Sequence, residues 1–104
     1  MKITLSNGKK LKIWVNHINP NSSFYSTEQI FLYEKYGPGT FVDIFEDDKL
    51  IGEGRSRLHK EDENKFNKHL GLKLSLKQAM KQASFKKSIR TEIWNAVFSN
   101  KYNN

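Results

Sequence analysis

The residues of this chain that point most clearly to a chemical role are its lysines and arginines. The stretch from Asn64 to Thr91 contains no acidic residue and eight basic ones. These are Lys65, Lys68, Lys73, Lys77, Lys81, Lys86, Lys87 and Arg90. Basic charge gathered in this way produces a one-sided positive potential, which attracts phosphates, nucleic acids, anionic lipids or an acidic protein surface.

The net charge of the chain shows the same segregation. The 104 residues include 18 Lys+Arg and 11 Asp+Glu, which gives a formal net charge of +7. Residues 1–51 contain six charges of each sign, whereas residues 52–104 contain twelve basic and five acidic residues. The second half therefore carries the whole excess, and its positive sign excludes a protein that imitates DNA.

A first candidate site for an anion lies at the end of a predicted strand. Arg55 and Arg57 lie on that strand and point to the same face, because side chains alternate along a strand. His59 and Lys60 follow at the junction with a predicted helix, whose first N–H groups also attract anions. With Arg90 from the last helix, they could hold a phosphate through charge-assisted hydrogen bonds. The open alternative is that both arginines form the solvated face of an edge strand and pair with nearby acids.

A second candidate site is a row of lysines on a predicted helix. Lys73, Lys77 and Lys81 recur every four residues, and Lys86 and Lys87 extend the basic run. An ordinary exposed helix face interleaves glutamates that pair with such lysines, and this one has none. The row could therefore follow a nucleic-acid backbone in salt-sensitive binding. The alternative is a solvated helix face without a ligand.

Other kinds of site find little support in the sequence. There is no cysteine, and the three histidines, at positions 17, 59 and 69, lack the spacing of metal ligands. No nucleophile motif, phosphate-binding glycine loop or pair of catalytic carboxylates occurs. We expect no metal, no cofactor and no enzymatic activity. The lack of cysteine also fits a cytoplasmic protein, and no apolar stretch approaches the roughly 20 residues that span a membrane.

The first half of the chain, which must position the first candidate site, has the pattern of β-strands. Asn7-Gly8 is a strong hairpin signal, and residues 46–49 form a second predicted turn. Gly52 and Gly54 indicate a bulge or a close approach of two backbones. In residues 24–36, Ser26 could cap a helix, but the composition of residues 30–33 favours a strand. The predicted strands are Lys2–Ser6, Lys10–Val15, Gln29–Glu34, Thr40–Phe45 and Leu50–Leu58.

The second half has the pattern of helices and carries the lysine row. A short helix over Lys60–Leu70 is followed by Gly71 as a stop or kink, and an amphipathic helix covers Leu72–Ala83. Ser84 is the predicted cap of a last helix over Phe85–Ser99. The last two helices could also form a helix-turn-helix, although their turn lacks the usual glycine. The sequence thus predicts one α+β domain over residues 1–100, an antiparallel sheet of four or five strands followed by two or three C-terminal helices. A disordered tail is predicted over residues 101–104.

A series of residues from about residue 50 to 98 forms a recognisable pattern. These residues are Gly54, His59, Asp62, Phe66, Leu70-Gly71, Lys73-Leu74-Ser75-Leu76, Ala79-Met80, Arg90 and Ile93-Trp94. In this pattern the chain resembles small accessory proteins of tailed bacteriophages. The chain departs from the pattern at Ser75, where Ala is usual, at Lys60, where Pro is common, and at Gln78, where Arg is common. The chain is also similar to the nucleotide-sequestering sponges that act against the Thoeris defence system.

The resemblance and the charge together suggest a function. We expect a non-enzymatic phage accessory protein in the host cytoplasm that binds a nucleotide signal or a host component and so counters host defence. If its site lies between subunits, the protein would be a homo-oligomer. The alternatives are a small basic DNA- or RNA-binding protein and a protein–protein inhibitor that docks on an acidic host enzyme.

Overall fold

A computed structural model of the chain describes residues 1–19, 25–58 and 67–102. Within these ranges the chain forms a four-stranded antiparallel sheet and three helices. The elements are β1 (Lys2–Thr4), β2 (Lys10–Ile18), α1 (Thr27–Tyr36), β3 (Gly39–Glu46), β4 (Lys49–Arg57), α2 (Lys68–Gln82) and α3 (Lys87–Tyr102). The α+β class and the C-terminal helices after the sheet are as the sequence predicts.

The sheet has the strand order β1-β2-β3-β4, so each strand pairs with its neighbour in the sequence. Both predicted hairpins are present. At the second one, Asp47 and Asp48 have φ angles of 50° and 63°. Left-handed backbone at both central residues is the geometry that matches the twist of two-residue hairpins. The loop between the third and fourth strands is therefore short and fixes the register that places Arg55 opposite Phe41.

The core lies between one face of the sheet and the two C-terminal helices. From the sheet, Ile13 and Ile44 are fully buried, and Leu72 and Leu76 of α2 meet them, with Ile93 of α3 completing the cluster. The predicted apolar stripe of α2 is confirmed. Trp14, on the opposite face of β2, is 52% exposed, as alternation along the strand requires.

Glycines allow α2 to lie directly on β4. A Cβ atom at Gly54 would overlap the carbonyl oxygen of Ser75, and one at Gly52 would overlap that of Ala79. The pairing of β3 and β4 also shifts register between Ile44 and Phe45. The sequence indicated a bulge or a close backbone approach here, and both are present.

Two glutamines of α2 reach around the free edge of β4. The side-chain oxygen of Gln78 accepts the backbone N–H of Arg55 at 2.6 Å, and that of Gln82 accepts the N–H of Glu53 at 2.5 Å. Residues four apart on a helix are separated by about 6 Å, close to the spacing of residues two apart on a strand. Because the two spacings agree, both glutamines can accept backbone N–H groups of β4 that an edge strand would otherwise offer to another chain.

The favoured prediction of a strand over Gln29–Glu34 is wrong, because these residues belong to helix α1. Ser26 is its N-cap and forms a capping box with Gln29, in which each side chain accepts a hydrogen bond from the other's backbone N–H. The two hydrogen bonds of this capping box outweigh the strand-like composition of the segment. The helix covers Phe41 on the face of the sheet opposite the C-terminal helices, through a contact of 5.5 Å between the Tyr36 and Phe41 ring centres.

Helix α2 begins at Lys68 and continues through Gly71, so the prediction that Gly71 stops a helix is wrong. Gly71 is buried, and a Cβ atom there would overlap Thr40 of β3. The glycine is needed for close packing and does not end the helix. Asn67 caps the helix by accepting the backbone N–H of Leu70 at 3.0 Å. Residues 60–66 of the predicted helix Lys60–Leu70 lie outside the described residues.

Ser84 ends α2 and does not start α3, which corrects its predicted role. Its φ angle is +59°, in the left-handed region. The backbone N–H of Ser84 bonds to the carbonyl of Lys81 and that of Phe85 to the carbonyl of Met80. This pair of bonds is the Schellman arrangement that closes helix C-termini.

Helix α3 begins at Lys87 and extends through Tyr102. Ile93 and Val97 form its buried face, with Trp94 and Phe98 half-buried beside them. The predicted tail spans residues 101–104, of which Lys101 and Tyr102 are helical here and the last two lie outside the described residues. No helix in the described part of the chain has the length and apolar character to cross a membrane.

Candidate ligand-binding groove

Arg55 of the first candidate site lies in an internal network. Its guanidinium contacts the carboxylates of Asp43 at 3.0 Å and Glu53 at 3.3 Å, and its side chain is only 20% exposed. The same group stands 5.4 Å from the ring centres of both Tyr36 and Phe41. Two carboxylates and two aromatic faces already surround this charge, so it fits the alternative in which the arginine pairs with nearby acids.

The other members of the first candidate site do not gather around Arg55 in the described residues. Arg57 is exposed on the same face of the sheet, and His59 and Lys60 lie outside the described residues. Arg90 belongs to α3, which packs on the opposite face of the sheet. On that face α2 also lies against Gly52 and Gly54. The sheet therefore separates Arg90 from the two strand arginines.

Arg90 instead joins lysines of the second candidate site across a groove between α2 and α3. The groove has a volume of about 510 Å³. Its lining residues are Lys77, Met80, Lys81, Lys87, Arg90, Thr91 and Trp94. Four of these seven side chains are cationic and none is acidic. We call this feature the basic groove.

Helix periodicity explains why these side chains meet. Lys77 and Lys81 are one turn apart on α2, and Arg90 and Trp94 are one turn apart on α3. Both helices pack their buried apolar residues on the sheet, and the flanks that face each other bring the cations and Trp94 into the lining of the groove.

The lining of the basic groove includes an aromatic ring that already contacts a cation. The Lys77 ammonium stands 5.7 Å from the ring centre of Trp94, within the range of a cation–π interaction. Trp94 is half-buried, with part of its ring packed on the core and part open to the groove. A ligand with both negative charge and a flat apolar part would find partners for each.

The lack of acid in the basic groove distinguishes it from two other grooves of the described structure. One of them includes Asp47 and Asp48 in its lining, and another includes Glu46. In both, carboxylates offset the nearby lysines. The basic groove has no such offset, so its potential is the most suited of the three to an anion.

The only carboxylate on α2 and α3 in the described residues faces away from the basic groove. Glu92 accepts the backbone N–H and the hydroxyl of Ser6, both at 2.8 Å. These bonds tie α3 to the β1–β2 hairpin. The charge that could neutralise Lys87 or Arg90 is thus held on the other side of the helix.

The start of α3 adds to this positive potential. Its first turn contains Lys87 and no acidic residue, with Lys86 just before it. A helix N-terminus carries partial positive charge, so lysines there are unfavourable by about 0.3–1 kcal/mol each in exposed positions. A local rule broken without internal compensation is typical of functional sites. Lys81, in the last turn of α2, is favourably placed for its own helix.

Beyond the residues that line the basic groove, a row of aromatic rings in mutual contact extends from Trp94 towards the start of α2. We call this row the aromatic column. The ring centres of Trp94 and Phe98 are 4.6 Å apart, and those of Phe98 and His69 are 5.3 Å apart. Lys73 lies one turn before Lys77 on α2 and is half-buried. Cations and flat rings therefore follow the same seam between the two helices.

Sequence reasoning found the cations of the basic groove but divided them between two sites, and it placed Trp94 in neither of them. The spacing of Lys87, Arg90 and Trp94 would have placed all three on one side of α3. The sequence does not show that this side meets the lysine row of α2, because that depends on how both helices pack on the sheet.

No group of three or more histidine and acidic side chains that could hold a metal occurs in the described ranges. Comparisons with models of protein families, with curated proteins and with solved structures find no match to this chain. What the basic groove binds must therefore be inferred from its own geometry and charge.

Proposed function

We propose that this protein is a non-enzymatic binding protein that holds a phosphate-bearing ligand in the basic groove. The observation that carries the proposal is the meeting of Lys77, Lys81, Lys87 and Arg90 around one groove whose lining contains no carboxylate. Phosphate oxygens are strong acceptors for such donors, and charge-assisted hydrogen bonds are about twice as strong as neutral ones.

The alternative explanation, a solvated basic face without a ligand, accounts less well for the arrangement. Such a face normally interleaves acids, and the one acid of the two helices is bonded to Ser6 instead. A ligand also explains the cluster at the start of α3, because an anion there would interact favourably with both Lys87 and the helix dipole.

The proposal moves the ligand from the first candidate site to the helices. Arg55 would then support the fold, and Arg90 would be the member of that site that contacts phosphate. The proposed biological setting is that of the resemblance: a phage accessory protein of the host cytoplasm that counters defence by binding. A nucleotide signal and a nucleic acid both carry the required phosphates.

Thermal unfolding in the presence of phosphate compounds tests this proposal. The panel contains inorganic phosphate, pyrophosphate, nucleotides, cyclic nucleotides and short oligonucleotides, each at low and moderate salt. A ligand that binds the native state raises the unfolding midpoint by mass action. At a ligand concentration of about one hundred times Kd, the free energy of unfolding rises by about 2.7 kcal/mol.

The matched comparison uses two double variants with the same loss of charge. Lys77→Ala with Lys81→Ala removes half the cations of the basic groove, whereas Lys2→Ala with Lys10→Ala removes exposed lysines of the first two strands. We expect the first pair to abolish the shift and the second to retain it. Equal loss in both pairs, or no shift with any compound, would overturn the proposal.

A further inference from the structure

The length of the charged seam suggests which class of phosphate ligand the basic groove accepts. Lys73 and Lys81 are eight residues apart on α2, a distance of about 12 Å along the helix. A single phosphate within hydrogen-bond distance of one of these lysines cannot reach the other. A ligand that uses the whole row must therefore carry several phosphates in line.

The aromatic column favours a ligand with exposed bases. Trp94, Phe98 and His69 follow one another with ring centres 4.6 and 5.3 Å apart and ring planes inclined by 46° and 72°, so a base can stack on an outer ring face but not between two rings. Single-stranded nucleic acids bind to positively charged grooves with aromatic rings, on which successive bases stack. In a duplex the base faces are covered by neighbouring base pairs, so rings of this kind would have no partner.

The two features run in the same direction. From His69 to Lys81 the seam is about 18 Å long, which accommodates at most roughly five nucleotides at the 3.4 Å spacing of a stacked strand, and fewer when the strand is extended. The lysine row of α2 borders the seam on one side, and Lys87 and Arg90 border it on the other. Phosphates could lie along the lysines while bases turn towards the rings.

We infer that the ligand of the basic groove is a short stretch of single-stranded nucleic acid, with its backbone on Lys73, Lys77, Lys81 and Arg90 and a base stacked on Trp94. This inference rests on the proposed function and specifies its ligand. Recognition is independent of sequence, because stacking and phosphate contacts use features that all nucleotides share. No chemical step is involved.

The two tryptophans of the chain allow a direct test. Trp14 lies on the face of the sheet opposite α2 and α3, and Trp94 lies in the basic groove. With excitation at a wavelength that tyrosine does not absorb, the fluorescence of Trp14→Phe therefore reports on Trp94 alone, and that of Trp94→Phe reports on Trp14 alone. The probe is a thymidine oligonucleotide of about eight nucleotides, within the site sizes of single-strand binders.

We expect the oligonucleotide to quench Trp14→Phe saturably and to leave the fluorescence of Trp94→Phe unchanged while still binding to it. Trp94→Leu, checked for a native unfolding midpoint, should lower affinity by about 5- to 150-fold, because the stacking surface is lost. Phenylalanine at this position keeps a ring and should restore most of the affinity.

The controls separate this inference from the proposed function. A duplex of the same length and thymidine monophosphate should both bind more weakly than the single strand. If the duplex or the mononucleotide binds as tightly, or if the strand binds without quenching Trp94, the inference fails and the phosphate-binding function stands. If no phosphate compound binds, both fail, and an acidic protein becomes the partner to seek.

Discussion

The carboxylate of Glu92 accepts two hydrogen bonds from Ser6, one from its backbone N–H and one from its hydroxyl, each 2.8 Å long. Two residues 86 positions apart are joined in this way, and α3 is fixed against the first hairpin. The same contact keeps negative charge out of the basic groove. A residue that supports the fold thus also determines the potential of the candidate site.

Adding a carboxylate on the groove side of α3 should weaken ligand binding without lowering the stability of the protein. Thr91 precedes Glu92 and lines the basic groove. Thr91→Glu adds a negative charge beside Lys87 and Arg90, so we expect the affinity for oligonucleotide to fall by about tenfold or more at roughly 50 mM salt. The unfolding midpoint should not fall, because glutamate has a higher helix propensity than threonine and lies one turn after Lys87, with which it can pair.

The control for this change is Thr91→Gln, because glutamine has nearly the size of glutamate and no charge. Fluorescence anisotropy with a labelled oligonucleotide measures both variants. Similar affinities for the two would contradict the electrostatic account of the basic groove.

Salt dependence should report the number of phosphates that the protein contacts. For single strands the logarithm of the binding constant falls with the logarithm of the salt concentration with a slope of about −0.7 per phosphate. Four contacts predict a slope close to −3 for the unaltered chain, and Lys77→Ala should reduce its magnitude by about 0.7. Titrations at several salt concentrations measure the slope, and Lys10→Ala should leave it unchanged.

Arg55 should contribute to stability and not to binding. Replacing it with alanine leaves Asp43 and Glu53 without their shared cation and removes the group between Tyr36 and Phe41. We expect a loss of about 2–3 kcal/mol in the free energy of unfolding.

Urea denaturation checks this loss, and the affinity of the folded variant for oligonucleotide should equal that of the unaltered chain. Arg57→Ala, on the same strand but exposed, is the matched control for stability. If a folded Arg55→Ala variant lost binding, the ligand would have to be assigned to the first candidate site on the sheet, which would contradict its assignment to the basic groove.

The glutamines over the free edge of β4 should protect the protein from association. In the Gln78→Ala, Gln82→Ala double variant, two backbone N–H groups lose their acceptors, which should cost about 1 kcal/mol each. The uncovered edge is also open to pairing with a second chain. Light scattering on heating should detect aggregation in this variant.

Glutamate at both positions keeps an acceptor oxygen of the same reach, so it should preserve the monodisperse state. If the alanine and glutamate variants aggregate alike, the edge contacts do not have the protective role.

The turn between α2 and α3 contains a residue in a conformation that glycine adopts more easily. Ser84 has a φ angle of +59° and is exposed. Ser84→Gly should therefore stabilise the protein by about 0.5–1 kcal/mol, since the left-handed conformation is strained for residues with a Cβ atom. Ser88→Gly, an exposed position within α3, should instead destabilise it. Thermal denaturation of the two variants is the measurement.

The sequence predicted the sheet and the C-terminal helices because their patterns are strong. Asn7-Gly8 specifies a hairpin locally, and the apolar residues of α2 recur at the helical period over several turns. Residues 27–36 were harder to predict because the apolar cluster there has strand-like composition, and Ser26 and Gln29 determine the outcome through two hydrogen bonds. A short capping signal is easily outweighed in a reading of composition.

The candidate site could be predicted only in part for a different reason. Charge segregation located the cations, but which of them converge depends on tertiary packing. Arg55 resembles a ligand residue in the sequence, yet its position opposite Phe41 and beside Asp43 follows from the register of two strands, β3 and β4. Gly71 was similarly misjudged, because its close contact with Thr40 exists only once α2 lies on the sheet.

The most direct test of the central claim is a titration of the ¹⁵N-labelled protein with the tightest-binding phosphate compound, followed by two-dimensional ¹H–¹⁵N NMR. We predict that the largest shifts occur at the amides of Lys77, Lys81 and Arg90 and at the indole N–H of Trp94. Shifts concentrated at Arg55 and Arg57, with α2 and α3 unchanged, would contradict the assignment of the ligand to the basic groove.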